Sequence, residues 1–230
     1  MLRAILAWLV LLPVAGAAHA APPTSLTGKL ELPAPPGRPA LAVKGFLDRA
    51  ENQLAPVKPL APTNQMIVVV EGADKPVSPP QVVIDLLGET FSRRVIAAPA
   101  GAEVVIKNPS KTARLLTAAE DPKLIPQGPI NPSGSKSFRI EEPGKVYTIG
   151  DKDAPHLKVK IVTINTPYYA YPDETGHFAI ENIPPGSYKL KIWYGDGWIE
   201  RPDDVVDVGA KGKTEFNPKV AAGAFTPGKK

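Results

Sequence analysis

The sequence predicts an all-β protein, a sandwich or barrel of short strands, and three observations support this prediction. Apolar positions alternate with less apolar or charged ones at 178–181 and again at 188–192, as in strands with one buried and one solvated face. The 230 residues include 28 prolines and 19 glycines, which disfavour long helices and favour many turns. Short apolar segments follow one another with glycine and proline between them. No heptad, tandem repeat or amphipathic helix is evident in the sequence.

The clearest strands lie in the segment Asn165–Trp193. Apolar residues at 178 and 180, and again at 188, 190 and 192, define two strands. The turns around them are supplied by Asp173–Gly176 and Asn182–Gly186, because glycine tolerates positive φ and proline fixes the entry angle. The same reasoning predicts upstream strands at Leu26–Leu32, Gln65–Glu71, Gln81–Leu87, Arg93–Ala97, Glu103–Lys107, Ser137–Glu141, Lys145–Ile149 and Lys158–Ile164.

Two stretches carry no continuous strand pattern. Ala21–Asn64 is rich in proline, so most of it after the first strand is expected to be extended or loop. Ser110–Ser135 contains four prolines and is the one long stretch without a strand pattern between predicted strands. A loop of that length in a β domain is usually functional or mobile.

The first 20 residues predict export. Arg3 gives a positive start, Ala4–Val14 an apolar centre, and Ala18-His19-Ala20 a small-residue cleavage site. The alternative, a membrane anchor, is disfavoured because Pro13 interrupts an apolar run shorter than the roughly 20 residues that a spanning helix needs. The chain has no cysteine, which fits a periplasmic or secreted protein that depends on its core and excludes thiolate metal sites.

The net charge of +4 raises the question of nucleic-acid binding. The lysines are dispersed along the chain, and the only dense basic run is Gly228–Lys230 at its end. A solvated surface is therefore the preferred interpretation, and neither nucleic acid nor a membrane span is expected. An envelope protein or a polysaccharide is the candidate partner.

Three segments resemble a carboxypeptidase regulatory-like domain, a transthyretin-like β-sandwich used as a non-catalytic module. They are Gly28–Leu32, Ile67–Gly72 and the run from Asp173 to Leu190, which contains D-x-x-G-x-F and P-P-G-x-Y. The combination of these two motifs is fairly specific, although the module occurs in many unrelated proteins. The resemblance implies that the first two segments and the third belong to one sandwich.

Pro79–Asn165 lies between those halves and resembles a cupredoxin domain of exported methylamine-utilization or plastocyanin-like proteins. The shared motifs begin at Pro99, at Phe138 and at Thr166, which opens T-P-Y-Y-A. Together the two resemblances imply two Greek-key β-sandwiches. The implied division is a signal peptide at 1–20, a proline-rich segment with the first strands at 21–78, a cupredoxin-like domain at 79–164, the second half of the regulatory-like sandwich at 165–220, and a flexible tail at 221–230.

The chain departs from the copper-binding members of that family at every ligand. Arg114 stands where the resemblance implies the first imidazole. Gly150, Asp153 and His156 stand where it implies Cys, His and Met. A trigonal His₂Cys site with a weak axial Met requires the thiolate, so a type 1 copper site cannot form and no cofactor is expected.

Two interpretations of the altered ligand positions stay open. His156 with Asp153 and Asp151 could hold Zn²⁺ or Cu²⁺, because imidazole and carboxylates are acceptable ligands for both. The preferred interpretation is an exposed polar loop in which a metal site has been lost. Arg114 could then pair with Asp153 or Asp151 through charge-assisted hydrogen bonds and tie two loops together.

Catalysis is not predicted, because no nucleophile elbow, zinc-protease motif or phosphate-binding loop is present. His177, in a hairpin turn, is expected at the surface. Tyrosines and tryptophans cluster at 168–171 and 193–198, and packing in the core is the preferred interpretation for most of them. Trp193 is expected to continue the buried series of Tyr188. Trp198 is expected to be the most exposed of these residues. Three functions therefore remain: a metal-free binding protein using loops 110–135 and 151–156, a metal-binding or electron-transfer protein with a site at His156, and a carbohydrate-binding module using Trp198.

Overall fold

A computed structural model describes residues 24–33, 62–72, 78–88, 90–199, 204–210 and 212–221. The predicted signal peptide, most of the proline-rich segment and nearly all of the predicted tail lie outside the described residues. Among those that are described, a single 3₁₀ turn at Pro62–Gln65 is the one helix. No described helix is long and apolar enough to cross a membrane.

Short strands form the rest of the regular structure. In chain order they are β1 (Ser25–Lys29), β2 (Met66–Glu71), β3 (Val82–Leu87), β4 (Thr90–Phe91), β5 (Val95–Pro99), β6 (Glu103–Lys107), β7 (Leu116–Ala118), β8 (Ser135–Arg139), β9 (Val146–Asp151), β10 (Lys158–Ile164), β11 (Tyr169–Ala170), β12 (His177–Glu181), β13 (Gly186–Tyr194), β14 (Gly197–Trp198), β15 (Asp204–Val208) and β16 (Lys213–Glu215).

The first sandwich joins strands from the two ends of the described chain. A three-stranded sheet has the order β12-β1-β16, and a second sheet has the order β11-β2-β13-β14 with β15 also paired to β13. Leu26 lies opposite Ile180, and Val68 lies opposite Ile192. Gly176 makes the tight turn before β12: its φ is +88°, and a Cβ there would lie 2.9 Å from the Leu30 carbonyl oxygen. Strands before residue 72 are therefore paired with strands after residue 165.

The second sandwich is built from the chain between those two parts. Its sheets have the orders β5-β10-β9-β7 and β4-β3-β6-β8. Parallel pairs, β5 with β10 and β3 with β6, stand beside antiparallel ones, so the strands do not form a simple series of hairpins. Side chains from both sheets enclose one apolar core; examples are Ile84, Ile106, Phe138, Ile149 and Ile161.

The two sandwiches pack against each other through a third apolar cluster. It joins β2 and β13 of the first sandwich to β5 and β10 of the second; its buried members are Ile67, Val69, Val95, Ala97, Val162, Ile164 and Trp193. β2 and β5 are buried at nearly every position because each has apolar neighbours on both faces. The four sheets thus form a stack of four β layers with three apolar interfaces.

The sheets confirm the predicted all-β, β-sandwich fold class, while several details of the prediction are wrong. Ser110–Ser135 contains the strand β7, whose three residues are too few to show an alternation. The prediction also lacks five other strands, namely the short strands β4, β11, β14 and β16 and the five-residue strand β15. Trp193 does not continue the buried series of Tyr188, because it is an odd number of residues away and faces the second sandwich.

Candidate functional site

Asp151, the last residue of β9, organises the loop that follows it. Its side chain is buried, and Oδ1 accepts hydrogen bonds from the backbone N–H groups of Asp153, at 2.8 Å, and Ala154, at 3.3 Å. The backbone N–H of Asp151 donates to the Leu157 carbonyl at 3.2 Å and closes the loop. A short acidic side chain that accepts from the next residues stabilises such a turn.

Arg114 faces the other carboxylate oxygen of Asp151. Its Nη1 lies 3.9 Å from Asp151 Oδ2, and the two side chains are 8% and 2% exposed. Its backbone exchanges hydrogen bonds with Ile130, and Nη2 donates to the Gly88 carbonyl at 3.4 Å. Of the two partners anticipated for Arg114, the structure therefore places Asp151, not Asp153, at ion-pair distance. We call Arg114, Asp151 and the loop 152–157 the ion-pair site.

The remaining candidate ligands are not gathered at the ion-pair site. Asp153 and His156 are both exposed, whereas Asp151 is buried. In the part of the chain that the structure describes, no group of three or more His, Asp or Glu residues is arranged to hold a metal ion. The three weak metal candidates thus differ in burial, and Asp151 already has N–H donors on one oxygen and a guanidinium near the other.

The long segment 110–135 is tied to the second sandwich at two places. Asn108 is fully buried, and its Nδ2 donates to the carbonyls of Thr112, at 2.8 Å, and Ile130, at 2.9 Å. Lys136 Nζ donates to the carbonyls of residues 126, 127 and 128. The sequence carries no signal for the roles of Asn108 and Lys136, because the acceptors of both side chains are backbone atoms of this loop.

His177 lies in an exposed turn, as the sequence predicts. Its Nδ1 is 2.7 Å from Thr175 Oγ1 and 3.8 Å from Asp173 Oδ2. A catalytic triad needs the hydroxyl and the carboxylate on different ring nitrogens, and here both approach the same one. Hydrogen bonds from Thr175 and from the His177 N–H lower the pKa of Asp173, as expected of a carboxylate that organises a turn.

The aromatic residues pack mostly inside the molecule. Tyr168 makes an edge contact with Tyr188, and Tyr169 one with Tyr171. Trp198 is the exposed member, at 37%, as predicted. Its ring and that of Trp193 are perpendicular with centroids 5.2 Å apart, and Lys191 Nζ lies over the Trp198 ring at 6.0 Å from its centroid, so a single indole rather than a broad platform is exposed.

A cleft of about 670 Å³ lies where the two sandwiches meet, and we call it the interface cleft. Residues 64–65 and 195–196 of the first sandwich form one side, and residues 90–95, 148, 156 and 158–160 of the second form the other. Its basic lining residues are Arg93, Arg94, His156, Lys158 and Lys160. Sequence reasoning missed this cluster because the chain segments that form it are separated by more than sixty residues and meet only on folding.

The basic side chains of the interface cleft are held in different ways. The guanidinium of Arg93 lies over the ring of Tyr171, 4.1 Å from its centroid. The Tyr171 hydroxyl accepts a hydrogen bond from the backbone N–H of Ala97 at 3.0 Å, and burial raises the pKa of that hydroxyl. Lys160 forms an ion pair with Asp196. Among the described carboxylates, none is in an ion pair with Arg94 or Lys158.

The fold and these two sites define the class of the chain: it is an all-β protein of two stacked β-sandwiches. A family model described as polysaccharide lyase family 4, domain II matches residues 144–216, less than half of the 230-residue chain. No curated protein sequence matches.

Among solved structures the chain is similar to amicyanins. An amicyanin from Paracoccus versutus (Thiobacillus versutus) is 14% identical, with 42% of this chain and 96% of that chain covered and a TM-score of 0.32. An oxidized amicyanin mutant is 13% identical, with 42% and 97% covered and a TM-score of 0.32. The Cu(I) form of another mutant is 14% identical over the same shares, with a TM-score of 0.33. TM-scores of this size do not establish a shared fold.

Proposed function

We propose that the chain is an exported, non-enzymatic binding protein in which an ion pair stands in place of a copper site. Its proposed cupredoxin-like part, 79–164, is inserted in a regulatory-like sandwich. The observation that carries the proposal is the buried contact between Arg114 and Asp151. The pairing of β1 with β12 and of β2 with β13 supports the insertion.

The charge of Arg114 opposes a metal ion at this place. A guanidinium stays protonated at any ordinary pH, so Arg114 keeps its positive charge in surroundings that water reaches poorly. A Cu²⁺ or Zn²⁺ ion would be repelled by it, and the repulsion between buried charges is screened little by salt. Asp151 is also committed to the loop amides and to Arg114, and His156 lies exposed at the surface rather than beside this buried carboxylate.

The proposed ligand is a polysaccharide of the cell envelope. The family model that matches 144–216 carries the name of a polysaccharide lyase domain, and this name favours a polysaccharide over an envelope protein. The role is binding, because the described histidines lie exposed and the one beside a hydroxyl and a carboxylate has the wrong arrangement for a triad. A carbohydrate-binding function through Trp198 alone is less favoured, since a single exposed indole offers little stacking area.

Metal analysis of the purified protein tests the proposal. The purified protein is incubated with excess Cu²⁺ or Zn²⁺ and desalted, and its metal content is measured by inductively coupled plasma mass spectrometry. We expect far less than one metal ion per chain. The variants Arg114→Ala and His156→Ala serve as a pair: the first removes the opposing charge, and the second removes the imidazole of the loop 152–157. Stoichiometric copper or zinc in the wild type that is lost in His156→Ala would refute the metal-free proposal. It would support the alternative, a metal-binding or electron-transfer protein with a site at His156.

A further inference from the structure

We propose that the interface cleft is the ligand site and that it binds the carboxylate groups of an acidic polysaccharide. This inference rests on the proposed binding function and gives it a ligand class. Neither the sequence motifs nor the comparisons point to this cleft. The inference depends on three observations: where the cleft lies, the basic side chains that line it, and the contacts that hold those side chains in place.

The position suits a chain-like ligand. The cleft is bounded by loops and strand ends from both sandwiches, and the apolar cluster between them fixes the two sides relative to each other. Its volume of about 670 Å³ is within the range of ligand sites in proteins. Polar and apolar surface contribute about equally to its lining, and the cleft is partly open to solvent, so a linear polymer can lie along it with its ends in solvent.

The charge selects an anion. Five basic side chains line the cleft, and Asp196 is the one described carboxylate among the lining residues. Asp196 is already paired with Lys160. Arg93, Arg94 and Lys158 are exposed to solvent and keep their N–H donors available to a ligand, since no described carboxylate is in an ion pair with them. Basic side chains grouped in a cleft raise the local concentration of anionic ligands.

The contacts that hold Arg93 and Arg94 in place favour a carboxylate as the bound anion. Tyr171 contacts the face of the Arg93 guanidinium, which restricts the side chain but leaves the N–H edges of the guanidinium free. Two parallel N–H edges match the two oxygens of a carboxylate. The neighbouring Arg94 is positioned by its own carbonyl, which accepts a hydrogen bond from the Lys160 N–H at 2.9 Å. The backbone from which these two neighbouring arginines extend is therefore fixed to β10.

An acidic polysaccharide fits this lining better than a nucleic acid. Single-stranded nucleic acids bind through bases stacked on exposed aromatic rings. The only aromatic residue that lines the described cleft is Phe91, which is 7% exposed and packs in the core of the second sandwich. Sugar rings that carry carboxylates need no such platform when the charges themselves are recognised. An acidic peptide offers the same carboxylates on longer, more flexible side chains and pays more entropy on binding.

Affinity measurements with defined polymers test the inference. Immobilised full-length mature protein is titrated with alginate, with neutral dextran of similar length, with poly-glutamate and with single-stranded DNA, at low salt and at about 0.15 M salt. We expect saturable alginate binding that weakens with salt, no dextran binding, and weaker binding of the other two polyanions. Absence of alginate binding, or binding of poly-glutamate or DNA as strong as that of alginate, overturns the inference.

Matched variants place the ligand in the cleft. The double variant Arg94→Gln with Lys158→Gln removes two charges from exposed side chains and is expected to weaken alginate binding roughly tenfold or more. The control variant Lys107→Gln with Lys123→Gln removes two exposed charges outside the cleft. It is expected to change the affinity for alginate by less than about twofold. Equal losses in both variants overturn the assignment to the cleft. The metal content is measured separately, so a failure here leaves the metal-free proposal untouched.

Discussion

The ion-pair site and the interface cleft use similar side chains in opposite ways. At the first, Arg114 and Asp151 are buried and face each other. At the second, Arg94 and Lys158 are exposed and paired with no described carboxylate. A buried guanidinium must have a partner because leaving water costs it several kcal/mol, whereas an exposed one stays hydrated until a ligand replaces the water. Burial, rather than residue type, therefore separates a side chain that holds loops together from one available for binding.

The largest effect is expected from breaking the buried pair. Arg114→Met keeps the apolar stem but leaves the buried Asp151 carboxylate without its cation. We expect the free energy of unfolding to fall by about 3–5 kcal/mol. Urea unfolding followed by tryptophan fluorescence measures it. The matched change at an exposed arginine of the cleft, Arg94→Met, is expected to alter the free energy by less than about 0.5 kcal/mol.

A double-mutant cycle with Asp151→Asn separates the pair from its surroundings, because the amide oxygen of Asn can still accept from the Asp153 and Ala154 N–H groups. We expect Arg114→Met and Asp151→Asn to be non-additive by about 1–3 kcal/mol. The same cycle with the exposed Asp153→Asn should be additive. Additive effects at Asp151 would mean that the 3.9 Å contact contributes nothing to loop cohesion.

A smaller effect concerns Tyr171, whose ring contacts the guanidinium of the cleft residue Arg93. Burial raises the pKa of Tyr171 above its ordinary value of 10.0. Above pH 10 the unfolded chain loses this proton while the folded chain retains it, so stability falls as pH rises, by up to about 1.4 kcal/mol per pH unit. Tyr171→Phe should flatten this alkaline loss, measured as urea midpoints between pH 9 and about 11. Identical slopes would mean that the hydroxyl is in contact with water.

The four-layer stack shows how far the sequence could predict this fold. The alternation at 178–192 and the apolar run at 65–71 indicate strands correctly, because burial on one or two faces leaves a pattern in the residues themselves. Strands of two or three residues such as β4 and β7 carry no such pattern. Their hydrogen bonds depend on a neighbouring strand that is distant in the chain, so tertiary contacts define them.

The two candidate sites also differ in how far the sequence could predict them. Arg114 and Asp151 could be proposed as a pair because the resemblance placed both in loops that meet. Which of Asp151 and Asp153 is buried could not be predicted, since the choice depends on the turn that the loop makes. The cleft could not be predicted at all. Arg93, Lys158 and Asp196 come together only after two sandwiches have packed, and no motif of the sequence spans that distance.

The smallest effect is expected from adding to the charge of the cleft rather than removing it. Asp196→Asn abolishes the carboxylate that pairs with Lys160, so the lining gains one unit of net positive charge. One unit charge at contact distance in water is worth about 1 kcal/mol, which corresponds to roughly fivefold tighter alginate binding at low salt. Asp207→Asn changes the same charge at an exposed residue of β15 that does not line the cleft, and its effect should be smaller. If Asp196→Asn weakens binding, the carboxylate positions Lys160 for the ligand instead of competing with it, and the simple attraction between a basic cleft and an acidic polymer is wrong.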